Sequence, residues 1–150
     1  PMARDQRVAY IAENPSQMML FQDMSYLRNL TFCLPRQIDS WFRRRSIYRS
    51  LRRELTPELG AVFDKDIRDL NTQEKYALIF RRVLLQQPRV VFFEQPFWGN
   101  DVLLQQHIER QVQLLLAKKI AVVVLIVGIY DAFPLAERTL IYKNGHLLTQ

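Results

Sequence analysis

A carboxylate and an amide stand side by side at the end of an apolar stretch of this chain. Glu94 and Gln95 directly follow residues 90–93. A carboxylate in such a place can bind a divalent cation through its oxygens, whereas a neutral amide cannot accept a proton. Both can equally be polar residues that end a strand. His107 and His146 lack partners at the spacing of metal ligands, so we predict neither a catalytic residue nor a metal site.

A second polar group precedes the strongest helical pattern of the chain. Asn71 is followed three residues later by Glu74, which is the spacing of a helix-capping box. Residues 76–85 then carry apolar side chains at helical spacing, and Gln87-Pro88 ends the pattern. The sequence therefore predicts a helix that begins at this polar group.

The remaining patterns predict an α/β fold. Residues 90–93 and 120–127 are apolar runs rich in β-branched residues, as in strands covered on both faces of a parallel sheet. Residues 102–118 have helical periodicity, which completes a βαβ crossover. The sequence also predicts a strand over 8–12 and a hairpin in which 139–142 pairs with 146–148. Four further helices are predicted: over 27–34, from Asp39 or Ser40 to about 55, from Thr56-Pro57 onward, and near 132–136.

The positive charge is concentrated in one segment. Residues 36–53 hold seven arginines against one acid, Asp39, which accounts for the whole formal net charge of +6. One interpretation is the solvated face of an amphipathic helix. Another is a nucleic-acid patch, in which arginines contact phosphates and interleaved aromatic residues stack on bases.

Length and composition fit one globular domain in a reducing compartment. A chain of 150 residues can bury on the order of 70% of its unfolded surface. Its single cysteine, Cys33, excludes an intrachain disulfide. The longest apolar run, 120–130, is shorter than the roughly 18 to 20 residues that span a bilayer. We expect a cytoplasmic protein.

Residues 70–96 resemble the nucleotide-binding domain of ABC-type ATPases without a gap. In that family a Leu-Ser-Gly-Gly-Gln/Glu signature precedes a helix, a Gln-Pro pair, the apolar Walker B strand and Asp-Glu-Pro. Elsewhere, residues 8–13 resemble the strand that enters the Q-loop, 21–29 resemble Phe-Pro-x-Leu-Thr-Val-x-Glu-Asn, and 136–145 resemble Ala-Asp-Arg-Ile-Leu-Val-Leu-Lys-Asp-Gly. The positions equivalent to nucleotide-binding sites are Asn71, Thr72, Gln73 and Glu74 in the signature, Glu94 and Gln95 at Walker B, Asp101 in the D-loop and Glu13 in the Q-loop.

The resemblance implies a fold and a division of the chain. We expect a partial P-loop NTPase-like (ABC ATPase) core with a mainly parallel sheet, a helical subdomain insertion and a C-terminal β-hairpin. Residues 1–150 would form a single domain, with the helical subdomain at 27–70 and the α/β core at 8–26 and 71–150. In the family the helical subdomain docks a membrane subunit, so the candidate docking residues are Trp41, Arg43, Arg44, Arg45, Tyr48 and Arg49.

The scaffold positions match the family, but the chemical positions do not. The family's phosphate loop ends in Gly-Lys-Ser/Thr, and none of the four glycines in these 150 residues precedes a lysine. Residues 71–73 replace Ser-Gly-Gly with side chains that would crowd a phosphate. Glu94 replaces an aspartate, and Gln95 replaces the glutamate that polarises the attacking water. The switch histidine aligns near Ile129 or Tyr130.

We therefore expect an ABC transporter-related ATP-binding-domain homologue that lacks the P-loop, does not hydrolyse ATP on its own and acts as a structural or regulatory partner of a transporter. Expected partners are a transporter membrane subunit at the inner face of the membrane or another ABC ATPase domain, together with self-association. No cofactor is expected for this chain alone. Binding of ATP with magnesium is expected only if a Walker A segment is supplied elsewhere. The alternatives are a C-terminal fragment of a longer ATP-binding ABC protein and a basic nucleic-acid-binding module that uses the arginine-rich helix 36–53.

Overall fold

The computed structural model describes residues 7–32, 41–97, 99, 101–127 and 135–149, with the side chains at 41–44, 56–59, 61, 64 and 149 left out of the description. The elements in chain order are β1 (Val8–Ile11), α1 (Pro15–Met18), α2 (Tyr26–Thr31), α3 (Trp41–Leu59), two 3-10 turns (Gly60–Asp64 and Ile67–Asp69), α4 (Thr72–Leu85), β2 (Val90–Glu94), α5 (Val102–Ala117), β3 (Ala121–Leu125), β4 (Leu140–Lys143) and β5 (His146–Thr149). None of the described helices has both the length and the apolar composition that crossing a bilayer requires.

Three parallel strands form the sheet of the core. Strand β2 lies in the centre, with β1 along one edge and β3 along the other. Val8 pairs with Val90, and Phe93 pairs with Val124. The predicted parallel α/β arrangement is therefore confirmed, because β2, α5 and β3 follow one another as a strand, a helix and a parallel strand.

The core lies between one face of this sheet and helices α4 and α5. Ile11 and Phe93 of the sheet are fully buried, as are Phe80 of α4 and Ile108 of α5. The rings of Phe80 and Phe93 meet edge to face, with their centroids 5.7 Å apart. Burying a side chain of this size contributes about 1.5–3 kcal/mol, so this layer holds the strands in place.

The opposite face of the sheet is exposed. Tyr10 is 50% exposed, Val123 is 38% exposed and Leu125 is 45% exposed. The prediction that residues 120–127 are covered on both faces is wrong for the described structure, since β3 alternates exposed and half-buried positions. The physical reason is that α4 and α5 pack on the same face. Because parallel sheets are normally covered on both faces, this surface is open to further polypeptide.

Helix α3 is continuous where the sequence predicts a break. It runs through Thr56-Pro57, so the prediction that a new helix begins there is wrong. A proline inside a helix donates no hydrogen bond and its ring crowds the carbonyl four residues earlier, and in α3 this disruption falls close to the end of the helix. The helix ends two residues later, at the 3-10 turn.

Helix α2 begins one residue earlier than predicted. Its cap is Ser25, whose hydroxyl oxygen accepts a hydrogen bond from the backbone N–H of Arg28. The predicted end of this helix at 34, the predicted cap at Asp39 or Ser40, and Cys33 lie outside the described residues, and so does most of the helix predicted near 132–136.

The predicted hairpin is confirmed. Strands β4 and β5 pair antiparallel, with Lys143 opposite His146. The two turn residues, Asn144 and Gly145, both have positive φ angles, of 51° and 83°. This Asn-Gly turn is the kind whose twist matches that of the flanking strands.

Candidate functional site

The polar group before α4 forms the capping box that its spacing predicts. The Asn71 side-chain oxygen accepts from the Glu74 backbone N–H at 2.8 Å, and the Glu74 carboxylate accepts from the Asn71 backbone N–H at 2.9 Å. Lys65 Nζ lies 2.9 Å from the other Glu74 oxygen. This hydrogen bond from Lys65 is the main reason why the pKa of Glu74 is lowered. Two of the four signature-equivalent residues are thus engaged in local structure, and Thr72 and Gln73 are exposed beside them.

The Glu94 carboxylate is engaged by a tyrosine from the neighbouring strand. The Tyr10 hydroxyl donates a hydrogen bond to Glu94 across the β1–β2 pair. This hydrogen bond raises the pKa of Tyr10, with smaller contributions from burial and from the charges of Glu94 and Glu13. Glu94, which the sequence predicts at a Walker B position, therefore ties two strands together near their carboxyl ends.

Gln95 joins the end of β2 to the end of β3. Its φ of 44° lies in the left-handed region. Its backbone N–H donates to the Leu125 carbonyl at 2.8 Å, and its side-chain oxygen accepts from the Val127 N–H at 3.3 Å. The amide at this position is thus a structural bridge between the two strands.

The sheet brings only part of the predicted set together. Glu13 follows β1 and acts on the pKa of Tyr10, so it lies at the same end of the sheet as Glu94 and Gln95. Asp101 instead caps α5, because its carboxylate accepts from the Leu104 N–H at 2.8 Å. None of the hydrogen bonds described for residues 71–74 reaches the sheet-end residues.

The fit of magnesium and nucleotide to these residues is poor. The Glu94 carboxylate is already hydrogen-bonded, and the residues that would approach a phosphate at 71–73 carry side chains. Within the part of the chain that the structure describes, no group of three or more His, Cys, Asp or Glu residues could hold a metal ion. His107 lies half-buried on α5, and His146 lies exposed on β5.

Helix α3 presents its charge outward. Arg45 and Arg49 are exposed, as are Arg52 and Arg53. Tyr48 is half-buried and accepts a hydrogen bond from the Thr31 hydroxyl of α2 at 3.2 Å, so it connects the two helices. Of the predicted docking residues, Trp41, Arg43 and Arg44 have side chains outside the described residues.

One buried polar residue was not singled out from the sequence. Asn29 is fully buried in α2. Its side-chain NH₂ donates to the carbonyls of Phe21, Met24 and Ser25, and its oxygen accepts from the Phe21 N–H at 2.8 Å. Its buried role could have been predicted because an asparagine stands among the apolar positions of a helical pattern. A buried amide at such a position needs hydrogen-bond partners.

Comparisons with known proteins bear on the fold of the chain. No protein-family model matches the chain. The lipopolysaccharide export system ATP-binding protein LptB of Acidithiobacillus ferridurans is 27% identical over 142 residues, which make up 95% of this chain and 57% of that protein. The structure of CbiO1 from Clostridium perfringens, described as part of the ABC transporter complex CbiONQ, superposes with a TM-score of 0.68 at 18% identity, over 98% of this chain and 57% of that one.

The parallel sheet and its helices define a P-loop NTPase-type α/β fold. The chain is similar in sequence to the ATP-binding protein LptB and in fold to CbiO1, in line with the resemblance of residues 70–96. It spans a little over half the length of the curated relative and of the solved structure that it matches.

Proposed function

We propose that this chain is a degenerate ABC ATP-binding domain that does not hydrolyse ATP by itself and acts as a structural or regulatory partner of a transporter. The observation that carries the proposal is the use of the Walker B side chains as strand bridges. Glu94 is bonded to Tyr10, and Gln95 is bonded to the backbone after β3. A hydrolytic site needs a free carboxylate near the metal and a base beside the attacking water.

The partner is proposed from the relatives and from the open surface of the sheet. CbiO1 is described as part of a transporter complex, and LptB as part of an export system. The exposed sheet face, with Tyr10, Val123 and Leu125, provides apolar surface for another polypeptide. A transporter-associated position would place the chain at the cytoplasmic side of the membrane.

Hydrolysis and nucleotide binding test the proposal directly. We expect the purified chain to release no phosphate from ATP above the blank, and its melting temperature to stay unchanged in millimolar Mg-ATP. Because Gln95 is one of several altered positions, Gln95→Glu is expected to remain inactive. Turnover that disappears in Glu94→Ala, but persists in the exposed-site control Glu137→Ala, would overturn the proposal.

The coverage of the relatives favours a second candidate, in which a Walker A segment comes from additional polypeptide. The chain matches 57% of the curated relative, so an ATP-binding protein of that length has room for such a segment. The test is co-expression with a polypeptide that carries a Gly-Lys-Ser/Thr loop. A stable complex whose melting temperature rises with Mg-ATP would support this candidate, and the absence of any complex would contradict it.

The arginine segment favours a third candidate, which is nucleic-acid binding. It predicts a gel shift of a single-stranded oligonucleotide that weakens steeply as salt is raised. Absence of a shift at low ionic strength would remove this candidate.

A further inference from the structure

Two arginines and two serines form one stripe on the outward side of α3. The stripe begins at Ser46 and continues three, four and seven residues later with Arg49, Ser50 and Arg53. This spacing places all four side chains on one face of the helix. All four are exposed. Together they line a shallow depression of about 250 Å³. The stripe therefore combines positive charge with hydroxyl groups on one exposed helix face.

The charge of this stripe is not neutralised within the described part of the chain. Neither Arg49 nor Arg53 forms an ion pair there, and the exposed Glu54 pairs with neither of them. Arg49 and Arg53 lie one turn apart, where like charges repel each other. An anion placed between the two guanidinium groups would relieve that repulsion.

The size and the lining of the depression select the kind of anion. Its 250 Å³ is below the roughly 300–1,000 Å³ of pockets that enclose a drug-sized ligand. Two guanidinium groups and two hydroxyl groups within this space match the oxygens of a single phosphate group. The described lining contains no aromatic side chain on which a base could stack. Tyr48, the nearest described aromatic residue on α3, is bonded to Thr31 of α2.

We propose that Ser46, Arg49, Ser50 and Arg53 form a binding site for a phosphate group, carried either by a free phosphate compound or by a phospholipid headgroup. Each guanidinium donates paired N–H groups to phosphate oxygens, and the two serine hydroxyls donate to the remaining ones. The site uses none of the residues at 71–74 or 94–95, so it stands whether or not the chain lacks ATPase activity.

The experiment has two binding arms with the whole chain. Inorganic phosphate is titrated calorimetrically, and vesicles of phosphatidylglycerol are compared with vesicles of phosphatidylcholine by co-sedimentation. The test variant is Arg49→Gln with Arg53→Gln. The matched control is Arg89→Gln with Arg110→Gln, which removes the same charge at two exposed positions outside the stripe.

We expect the test variant to weaken binding about tenfold or more, because charge-assisted hydrogen bonds are the strong ones. The control should stay within about twofold, since a distant exposed charge acts only through a screened field. Ser46→Ala with Ser50→Ala should also weaken binding, and a non-specific charge effect would not produce that loss.

The calorimetric titration and the vesicle co-sedimentation together identify which compound carries the phosphate group. Binding of inorganic phosphate without vesicle binding identifies a free phosphate compound. Sedimentation with phosphatidylglycerol vesicles alone, lost in the test variant, identifies a lipid headgroup. The proposal is overturned if neither probe binds, if the control variant loses as much affinity as the test variant, or if only a single-stranded oligonucleotide binds.

Discussion

Asn29 ties the loop after α1 to helix α2 through a single side chain. Its NH₂ group faces three backbone carbonyls, and its oxygen receives the Phe21 N–H. Only an amide offers donors and an acceptor at this spacing. The residue therefore fixes residues 21–25 against α2.

We expect Asn29→Asp to lower the free energy of unfolding by about 3 kcal/mol, since the oxygen that replaces the NH₂ group would face three carbonyl oxygens without a donor. Chemical denaturation of both proteins measures this loss. Asn144→Asp makes the same chemical change in an exposed turn and should be nearly neutral. Equal effects of the two substitutions would contradict the role given to Asn29.

His107 gives the stability of the fold a dependence on pH. Burial lowers the pKa of His107 below 6.5, and the charge of Arg110 lowers it further. The unfolded chain therefore binds this proton more readily than the folded chain does. The contribution of His107 to stability is present above pH 6.5 and is lost as the pH falls through the lower folded pKa.

Denaturation between pH 7.5 and about pH 5.5, above the range where carboxylates titrate, tests this prediction. His107→Gln should flatten the fall in the free energy of unfolding across that window. His146→Gln, at an exposed position, should leave the fall unchanged. If the wild-type protein and His107→Gln lose stability in parallel, the assignment is wrong.

At the scale of elements, the cap of α4 is the clearest case in which a local sequence pattern predicts where a helix begins. Asn71 and Glu74 satisfy two backbone donors reciprocally. We expect Asn71→Ala to cost about 1 kcal/mol of stability, measured by denaturant unfolding. Asn71→Ser keeps a capping oxygen, so it should cost less. No difference between the alanine and serine variants would show that the cap contributes little.

Two side-chain hydrogen bonds connect neighbouring strands of the sheet. Tyr10 with Glu94 joins β1 to β2, and Gln95 joins the ends of β2 and β3. We expect Tyr10→Phe to lower the free energy of unfolding by about 1 kcal/mol or less, because the bridge is largely exposed to solvent. The ultraviolet titration of tyrosine provides an independent readout. The raised pKa that Tyr10 contributes to the wild-type titration should be absent from the variant, and loss of only a tyrosine of ordinary pKa would contradict the bridge.

At the scale of the whole molecule, the unequal covering of the sheet predicts self-association. Strand β3 has a partner along only one edge among the described strands, and its outer face exposes Val123 and Leu125. Such an edge, with neither lysine nor proline in the strand, is open to pairing with another chain. We expect the purified chain to sediment as a dimer or larger species.

Val123→Lys places a charge on this face and should shift the sedimentation profile toward the monomer. Leu114→Lys makes a comparable change on the exposed side of α5, where Leu114 is 51% exposed. It should leave the association unchanged. A strictly monomeric wild-type chain would contradict the prediction, and so would equal effects of the two lysines.

The order of strands and helices could be predicted from the sequence because those signals are local. Continuous β-branched runs, the cap at Asn71 with Glu74 and the Asn144-Gly145 turn each act within a few residues. The resemblance of residues 70–96 to ABC-type ATPases likewise rests on residue types at fixed spacing within one stretch of the chain. Boundaries were less certain, as the uninterrupted helix through Pro57 shows.

The sequence alone determined the fold class, the family resemblance and which residue types stand at the chemical positions, since these depend on spacing and identity along the chain. Only the tertiary structure decided what those residues do. Tyr10 lies 84 positions from Glu94 in the chain and meets it because two strands pair. The exposure of Val123 depends on which face the helices cover. Contacts between distant segments, and the side of a sheet that is left open, are set by packing, which no local pattern encodes.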